Sequence, residues 1–322
     1  MSTRVVVFSS SCMSLPLIVS LQQAGQLAGV VFAISDHPQR QMDSQQLAAH
    51  LQQLDVPRVQ YNPQQPDSVI AALDHWLAGQ GAGITLRAGV IFSFGPLLPA
   101  VIIDFFAGLL VNLHASDLPN YRGSMPVYWQ LRHGASEIPL TLHQVEASAD
   151  TGAIGLQTRV TLHPFDTFQT ANVRLMNAAP ALLAEALSLM QQGTLKWQPQ
   201  REKNAADFYA CDVTADHLQA DLQTLSARQL VSATRAGNPN YGVSFNSQWG
   251  PLQLMQASLS SQPAYGARPG TVLMVDKFRG WVVATRDGSI ALDVVIHQSG
   301  YFSGYQFAVA NTIEAGTVLN SM

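Results

Sequence analysis

A chain of 322 residues, 47% hydrophobic and 12% charged, has the composition of a soluble globular protein with room for two domains and a sizeable core. The net charge of −4 is unevenly spread: residues 1–190 hold 8 Arg, no Lys and 12 acidic residues, whereas residues 191–322 hold 9 basic and 9 acidic ones. Neither half has the Lys/Arg excess of a surface that neutralises several phosphates, which argues against nucleic acid as the main partner.

The opening RVVVFSSSCMSLPLIVSLQQAG is apolar enough to suggest a signal peptide, but three serines and Pro16 break the run and a single Arg is a weak n-region. It reads better as a strand over 4–8, a polar turn at Ser9–Ser11 and a helix over 14–23. A second strand follows at 29–35, then a helix over 42–56 with Leu47, Leu51 and Leu54 at helical spacing, and a short strand at 58–61. A helix over 69–78 and buried strands at 88–94 and 108–115 continue the alternation. Short apolar strands alternating with helices predict βαβ units and a mainly parallel sheet covered on both faces. Ligands of such sheets sit beyond the carboxyl ends of the strands, where Asn112 and His114 fall. The first turn, SSSCMS, lacks the glycines a pyrophosphate needs for close backbone approach, which argues against a dinucleotide-binding domain.

From Val111 to Gly152 the chain changes character. Strand residues run into Asn112 and His114, and a loop rich in Pro and Gly carries Arg122. An amphipathic helix, a second strand at 138–145 and a loop ending at Asp150 follow. Side chains suited to proton transfer therefore lie at strand ends near loops that can reach one pocket. A strand at 154–162 and a long helix over 167–191 complete a first domain, 1–192. The polar, Pro-containing stretch within 193–210 reads as a linker. Residues 211–322 read as a mainly β, OB-like domain: a helix over 215–236, then strands at 270–276, 280–298 and 316–320, with an Asp-Gly hairpin signal at Asp287-Gly288. The expected fold class is thus a Rossmann-like open α/β sheet followed by a smaller β domain. No apolar run approaches the ~20 residues that span a bilayer. Cys12 and Cys211 lie far apart without metal or disulfide spacing, which places the protein in a reducing cytoplasm.

The motif NLHASDLPNYRG, with P-x-x-W, T-L-H-x-V and A-D-T-G-A-I after it, resembles the formyltransferase family that uses 10-formyltetrahydrofolate. Methionyl-tRNA formyltransferase and the amino-sugar formyltransferases belong to that family, and the resemblance is specific over residues 88–170. It implies catalytic roles for Asn112, His114 and Asp150. It also implies a donor pocket lined by Ile91, Phe92, Ser93, Phe94, Gly95 and Leu97, and acceptor contacts at Ser116, Asp117 and Arg122. No metal is implied. The chemistry agrees: an uncharged amine must attack a formamide through a tetrahedral oxyanion. Asn112 can aim an N–H at that oxyanion, an effect worth ~3 kcal/mol in comparable sites. His114 can shuttle a proton near neutrality, and Asp150 can orient it or raise its pKa. Arg122 has a second reading, as a residue that only fixes its loop. His133, His143 and His163 read as structural or surface residues, and Trp129 as core.

Two positions depart from the family pattern. Asp117 stands where the family has the first Leu of S-L-L-P, and SSSCMS replaces a small Gly-containing turn. The tRNA-acting members carry a basic loop after the second strand; here SDHPQRQMDSQQ (35–46) has one Arg, two Asp and no Lys. The expected acceptor is therefore a small amine, an amino-sugar nucleotide or an amino acid. Methionyl-tRNA formyltransferase is the alternative. A formyltetrahydrofolate hydrolase or a folate-binding module without turnover is the alternative from another class.

Overall fold

A computed structural model describes residues 2–78 and 84–319. The chain separates into two compact units, one made of 1–126, 137–161 and 172–210, the other of 127–136, 162–171 and 211–322. In chain order the elements are β1 (Ser2–Ser9), α1 (Leu15–Gln23), β2 (Leu27–Phe32), α2 (Pro38–Gln53), β3 (Arg58–Gln60), α3 (Pro66–Ala78), β4 (Ile84–Ile91) and α4 (Ala100–Phe105). Then come β5 (Leu110–His114), α5 (Pro126–Arg132), β6 (Glu137–Gln144), β7 (Ile154–Thr161) and α6 (Phe168–Gln192).

The first unit holds a seven-stranded sheet in the order β3-β2-β1-β4-β5-β6-β7. The strands from β3 to β5 pair in parallel, while β6 and β7 are added antiparallel. The sheet is mainly parallel, as the alternation predicts. Val5, Val6, Val7 and Phe8 of β1 are fully buried, the signature of a central strand covered on both faces. Full burial of each such side chain stabilises the fold by roughly 1.5–3 kcal/mol. Strand order reverses between β1 and β4, so the carboxyl-end crevice lies there.

The start of α2 differs from the sequence expectation. The helix expected from 42 begins at Pro38, because proline is pre-organised for a first helical turn. Most of the stretch 35–46 is therefore helix, leaving only residues 33–37 as the connection. Among the described residues α6 alone is long and apolar enough, by length and composition, to cross a membrane. Its buried Leu175, Ala179, Leu183 and Ala186 nevertheless fall on one stripe, with Arg174 and Glu185 exposed. That is the pattern of a helix packed against a sheet.

The second unit contains α7 (Ala227–Gly237), β8 (Val243–Ser247), β9 (Gly250–Leu259), β10 (Val272–Asp276), β11 (Gly280–Ala284), β12 (Ser289–His297), β13 (Gly300–Ser303) and α8 (Gly304–Ala310). Its sheet is antiparallel, in the order β10-β11-β12-β9-β8 with β13 on β12. Trp281 and Phe307 stack at its centre, ring centroids 5.7 Å apart. The helix expected over 215–236 is two pieces, a 3-10 turn at Ala215–Leu218 and α7. Ser226 and Gln229 form a capping box that starts a new helix, and the Asp221 carboxylate accepts from the Gln223 N–H in the turn before it. The run 280–298 folds back at Asp287-Gly288 to give β11 and β12, as the turn signal predicts. The expected strand 316–320 is reduced to a single bridge between Val318 and Thr271, and Asn320 lies outside the described residues.

Candidate active site

β5 delivers Asn112 and His114 to one face of the sheet because successive strand residues alternate sides. The neighbouring β6 runs antiparallel, and its register sets His143 directly opposite Asn112 and Thr141 opposite His114. Beyond β6 the chain turns back through Asp150, which adopts a left-handed φ of 57°. Its carboxylate then sits between these residues. Oδ1 lies 3.2 Å from Asn112 Nδ2, 3.5 Å from His114 Nδ1 and 3.6 Å from His143 Nε2. Oδ2 accepts the Gly123 N–H at 3.0 Å.

Backbone carbonyls assign the protons on both imidazoles. His114 Nε2 lies 2.9 Å from the Tyr121 carbonyl, which can only accept, so Nε2 carries the proton and Nδ1 is left as an acceptor facing Asp150. His143 Nδ1 donates to the Gln144 carbonyl at 2.7 Å, which leaves its Nε2 to accept from Asn112 at 3.1 Å. Both N–H groups of the Asn112 amide are thus engaged, one on His143 and one on Asp150. Donation to an oxyanion requires Asn112 to exchange one of these bonds.

Burial lowers the His114 pKa below its usual value, and Asp150 together with the Tyr121 carbonyl opposes that shift only in part. His114 is therefore neutral near neutral pH. Burial pushes the Asp150 carboxyl up, but the charge of a protonated His114, a hydrogen bond from a protonated His143 and the Gly123 N–H outweigh it and hold Asp150 well below the usual carboxylate range. The result is an ionised carboxylate beside a neutral imidazole with its lone pair turned inward. A proton arriving at His114 Nδ1 would be shared with Asp150, which makes the pair a proton acceptor with its counter-ion in place.

The stretch read as a linker runs along this site. Tyr121 N–H donates to the Phe208 carbonyl at 2.8 Å, Ala210 N–H to the Arg122 carbonyl at 2.8 Å, and Met125 N–H to the Ala210 carbonyl at 3.0 Å. A Cβ on Gly123 would stand 2.6 Å from the Ala210 carbonyl oxygen. Gly152 is tighter still, since a Cβ there would stand 2.0 Å from the Gln144 carbonyl oxygen. Gly152→Ala is expected to cost about 1–3 kcal/mol of stability through that overpacking. Thermal denaturation reads it, and an unchanged Tm would show that the loop yields.

The residues implied by the resemblance fall in three groups. Asn112, His114 and Asp150 converge. Phe92 to Leu97 lie between β4 and α4, alongside the first turn: Ser10 N–H donates to the Ser93 carbonyl at 2.8 Å. Phe92 is buried, Phe94 packs edge-on against Phe8 and Tyr61, and Leu97 is 73% exposed. Ser116, Asp117 and Arg122 do not converge. Ser116 is fully buried and donates to the Asn120 carbonyl. Asp117 is exposed, accepts from Gln157 at 3.1 Å and lies 3.9 Å from Arg159. Arg122 donates to Gln200. His133 and His163 are exposed and Trp129 is core, as expected. His143, however, is a buried member of the polar cluster rather than an isolated structural residue. Its place in T-L-H-x-V, directly before the turn to Asp150, was the available signal. Gln200 had none.

Residues 3–187 match the formyl transferase family and residues 219–304 match the formyl transferase C-terminal domain. The chain is 32% identical to the methionyl-tRNA formyltransferase of Thiobacillus denitrificans over 72% of its own length and 74% of that protein's. Among solved structures, the sugar 3N-formyl transferase WlaRD, in the presence of dTDP and 5-N-formyl-THF, shares the fold at a TM-score of 0.63 and 15% identity, over 90% of this chain and 97% of that one. HypX from Aquifex aeolicus does so at 0.61 and 14% over 96% of this chain, which spans only 49% of HypX. The match over both regions, together with the Asn112–His114–Asp150 cluster, makes the chain a member of the formyl transferase family.

Proposed function

We propose that the chain transfers a formyl group from 10-formyltetrahydrofolate to the primary amine of a small molecule, an amino-sugar nucleotide or an amino acid. The observation that carries the reading is the buried His114–Asp150 pair, with His114 Nε2 held by the Tyr121 carbonyl and Nδ1 turned toward the Asp150 carboxylate at 3.5 Å. An acylated amine must lose a proton, and this pair is placed to take it and to return it to the departing nitrogen. Asn112 exchanges one of its two bonds to meet the charge that develops on the formyl oxygen.

The crevice between β1 and β4 suits the donor. Ser10 Oγ is buried there without a hydrogen-bond partner, and Gly95 borders open space. The segment 91–97 and Ser10 would hold the folate, which supplies an activated formyl group. On the acceptor side, the connection after β2 is short and α2 opens with Arg40 and Asp43 rather than a basic run. Methionyl-tRNA remains the second reading, favoured by the Thiobacillus denitrificans relative.

The test is a formyl-transfer screen of amino-sugar nucleotides, amino acids and methionyl-tRNA with 10-formyltetrahydrofolate as donor. Turnover with a small amine and weak, unselective use of tRNA is the expected result. Efficient formylation of methionyl-tRNA with steep salt dependence overturns the choice of acceptor. Formate release at an equal rate without any amine overturns transfer itself in favour of hydrolysis.

A further inference from the structure

Gln200 lies outside the family motif, in a polar stretch with no helical or strand periodicity. The chain nevertheless anchors it firmly. Gln198 and Ile154 exchange backbone hydrogen bonds at 2.8 Å in both directions, and a Cβ on Gly155 would meet the Trp197 ring at 2.7 Å. Held in this way, Gln200 Nε2 donates to the Asp150 carbonyl at 2.8 Å and to the Gly152 carbonyl at 2.9 Å. Its Oε1 accepts from Arg122 Nε at 3.2 Å and from Arg122 Nη2. A glutamine amide has two donors and one acceptor oxygen, so nothing on this side chain is left to spare. All of it goes to the loops that meet at the Asp150 carboxylate, since Gly123, next to Arg122, supplies the N–H on Oδ2.

Asp150 itself needs such support. A φ of 57° is a backbone setting that a residue with a Cβ keeps only where its surroundings over-determine it. The carbonyl of that same residue is one of the groups Gln200 holds. We propose that Gln200 is a positioning residue for Asp150, its side-chain amide joining the Arg122–Gly123 loop to the Asp150–Gly152 loop so that the carboxylate faces His114. The proposal rests on the reading of Asn112, His114 and Asp150 as the transfer site.

The groups facing His114 are Asp150, His143, Arg122 and the Tyr121 carbonyl; of these Asp150 and the carbonyl favour the charged imidazole, while His143 and Arg122 disfavour it. Displacing the carboxylate therefore moves the His114 titration to lower pH, which a general loosening of the fold would not do. Gln200→Met keeps the length and removes the amide. Gln200→Asn keeps the amide with a shorter reach and remains neutral, and it serves where the methionine variant fails to fold. In the full chain, histidine titrations followed by NMR are expected to show the His114 midpoint displaced downward in both variants. Formyl-transfer assays are expected to show kcat reduced by about ten- to a hundredfold, the scale of a small misplacement, with the donor KM within about twofold. An unchanged His114 midpoint in the folded variants, or a loss confined to KM, overturns the proposal. Because the titration needs no turnover, a shifted midpoint in a chain that formylates no amine would leave the positioning role standing and the transfer reading refuted.

Discussion

Asp150→Asn is expected to lower kcat/KM for formyl transfer by about 10²–10⁴-fold, the usual worth of a positioned acid–base group, while leaving the fold intact. The asparagine oxygen can still accept the Gly123 N–H, and its amide can donate to His114 Nδ1, an acceptor here. What disappears is the charge that would balance an imidazolium. The stability profile should change with it. The native carboxyl titrates well below its ordinary value of 3.8, so its stabilising contribution is present above that pH and is lost as the pH falls below it. Melting curves from about pH 3 to 7 should show this acid-side loss in the native chain and less of it in the variant. A variant within tenfold of the native kcat/KM would remove the carboxylate from the reaction.

His114→Ala should abolish transfer to a similar extent and also erase the acidic limb of the pH profile. Burial depresses the His114 pKa, so the limb in the native enzyme lies below the ordinary imidazole value of 6.5. The sign for stability is the same. The buried neutral imidazole contributes fully above pH 6.5, and the contribution is lost as pH falls toward the depressed folded value. The alanine variant also removes the hydrogen bond from His114 Nε2 to the Tyr121 carbonyl, at a cost of about 0.5–1.5 kcal/mol. An acidic limb that survives unchanged in His114→Ala would take proton transfer by His114 out of the rate-determining region.

Asp117 shows what a motif read by position leaves out. In the sequence it is a charge inserted three residues after His114. In the folded chain it is exposed and engaged with Arg159 and Gln157 of β7. β7 pairs with β6, and β6 with β5, so a strand more than thirty positions downstream reaches the Asp117 carboxylate. Charge position is readable from sequence, but the partner on the adjacent strand is not.

The alternation of apolar strands with helices determined the parallel sheet by itself, because a strand buried on both faces must be apolar throughout. The spacing of Asn112 and His114 likewise put both on one face, since strand side chains alternate with a period of two. Capping and turn chemistry at Ser226 and Asp287-Gly288 was local and readable, and the break at residue 226 is missed only if helical periodicity is weighed above the cap. Tertiary structure alone decided the rest. The addition of β6 antiparallel to β5 brought His143 opposite Asn112 and made it part of the cluster. The return of 193–210 along the first unit set Gln200 against Asp150. Both follow from long-range backbone pairing, which depends on register between distant segments and leaves no periodic trace in either one.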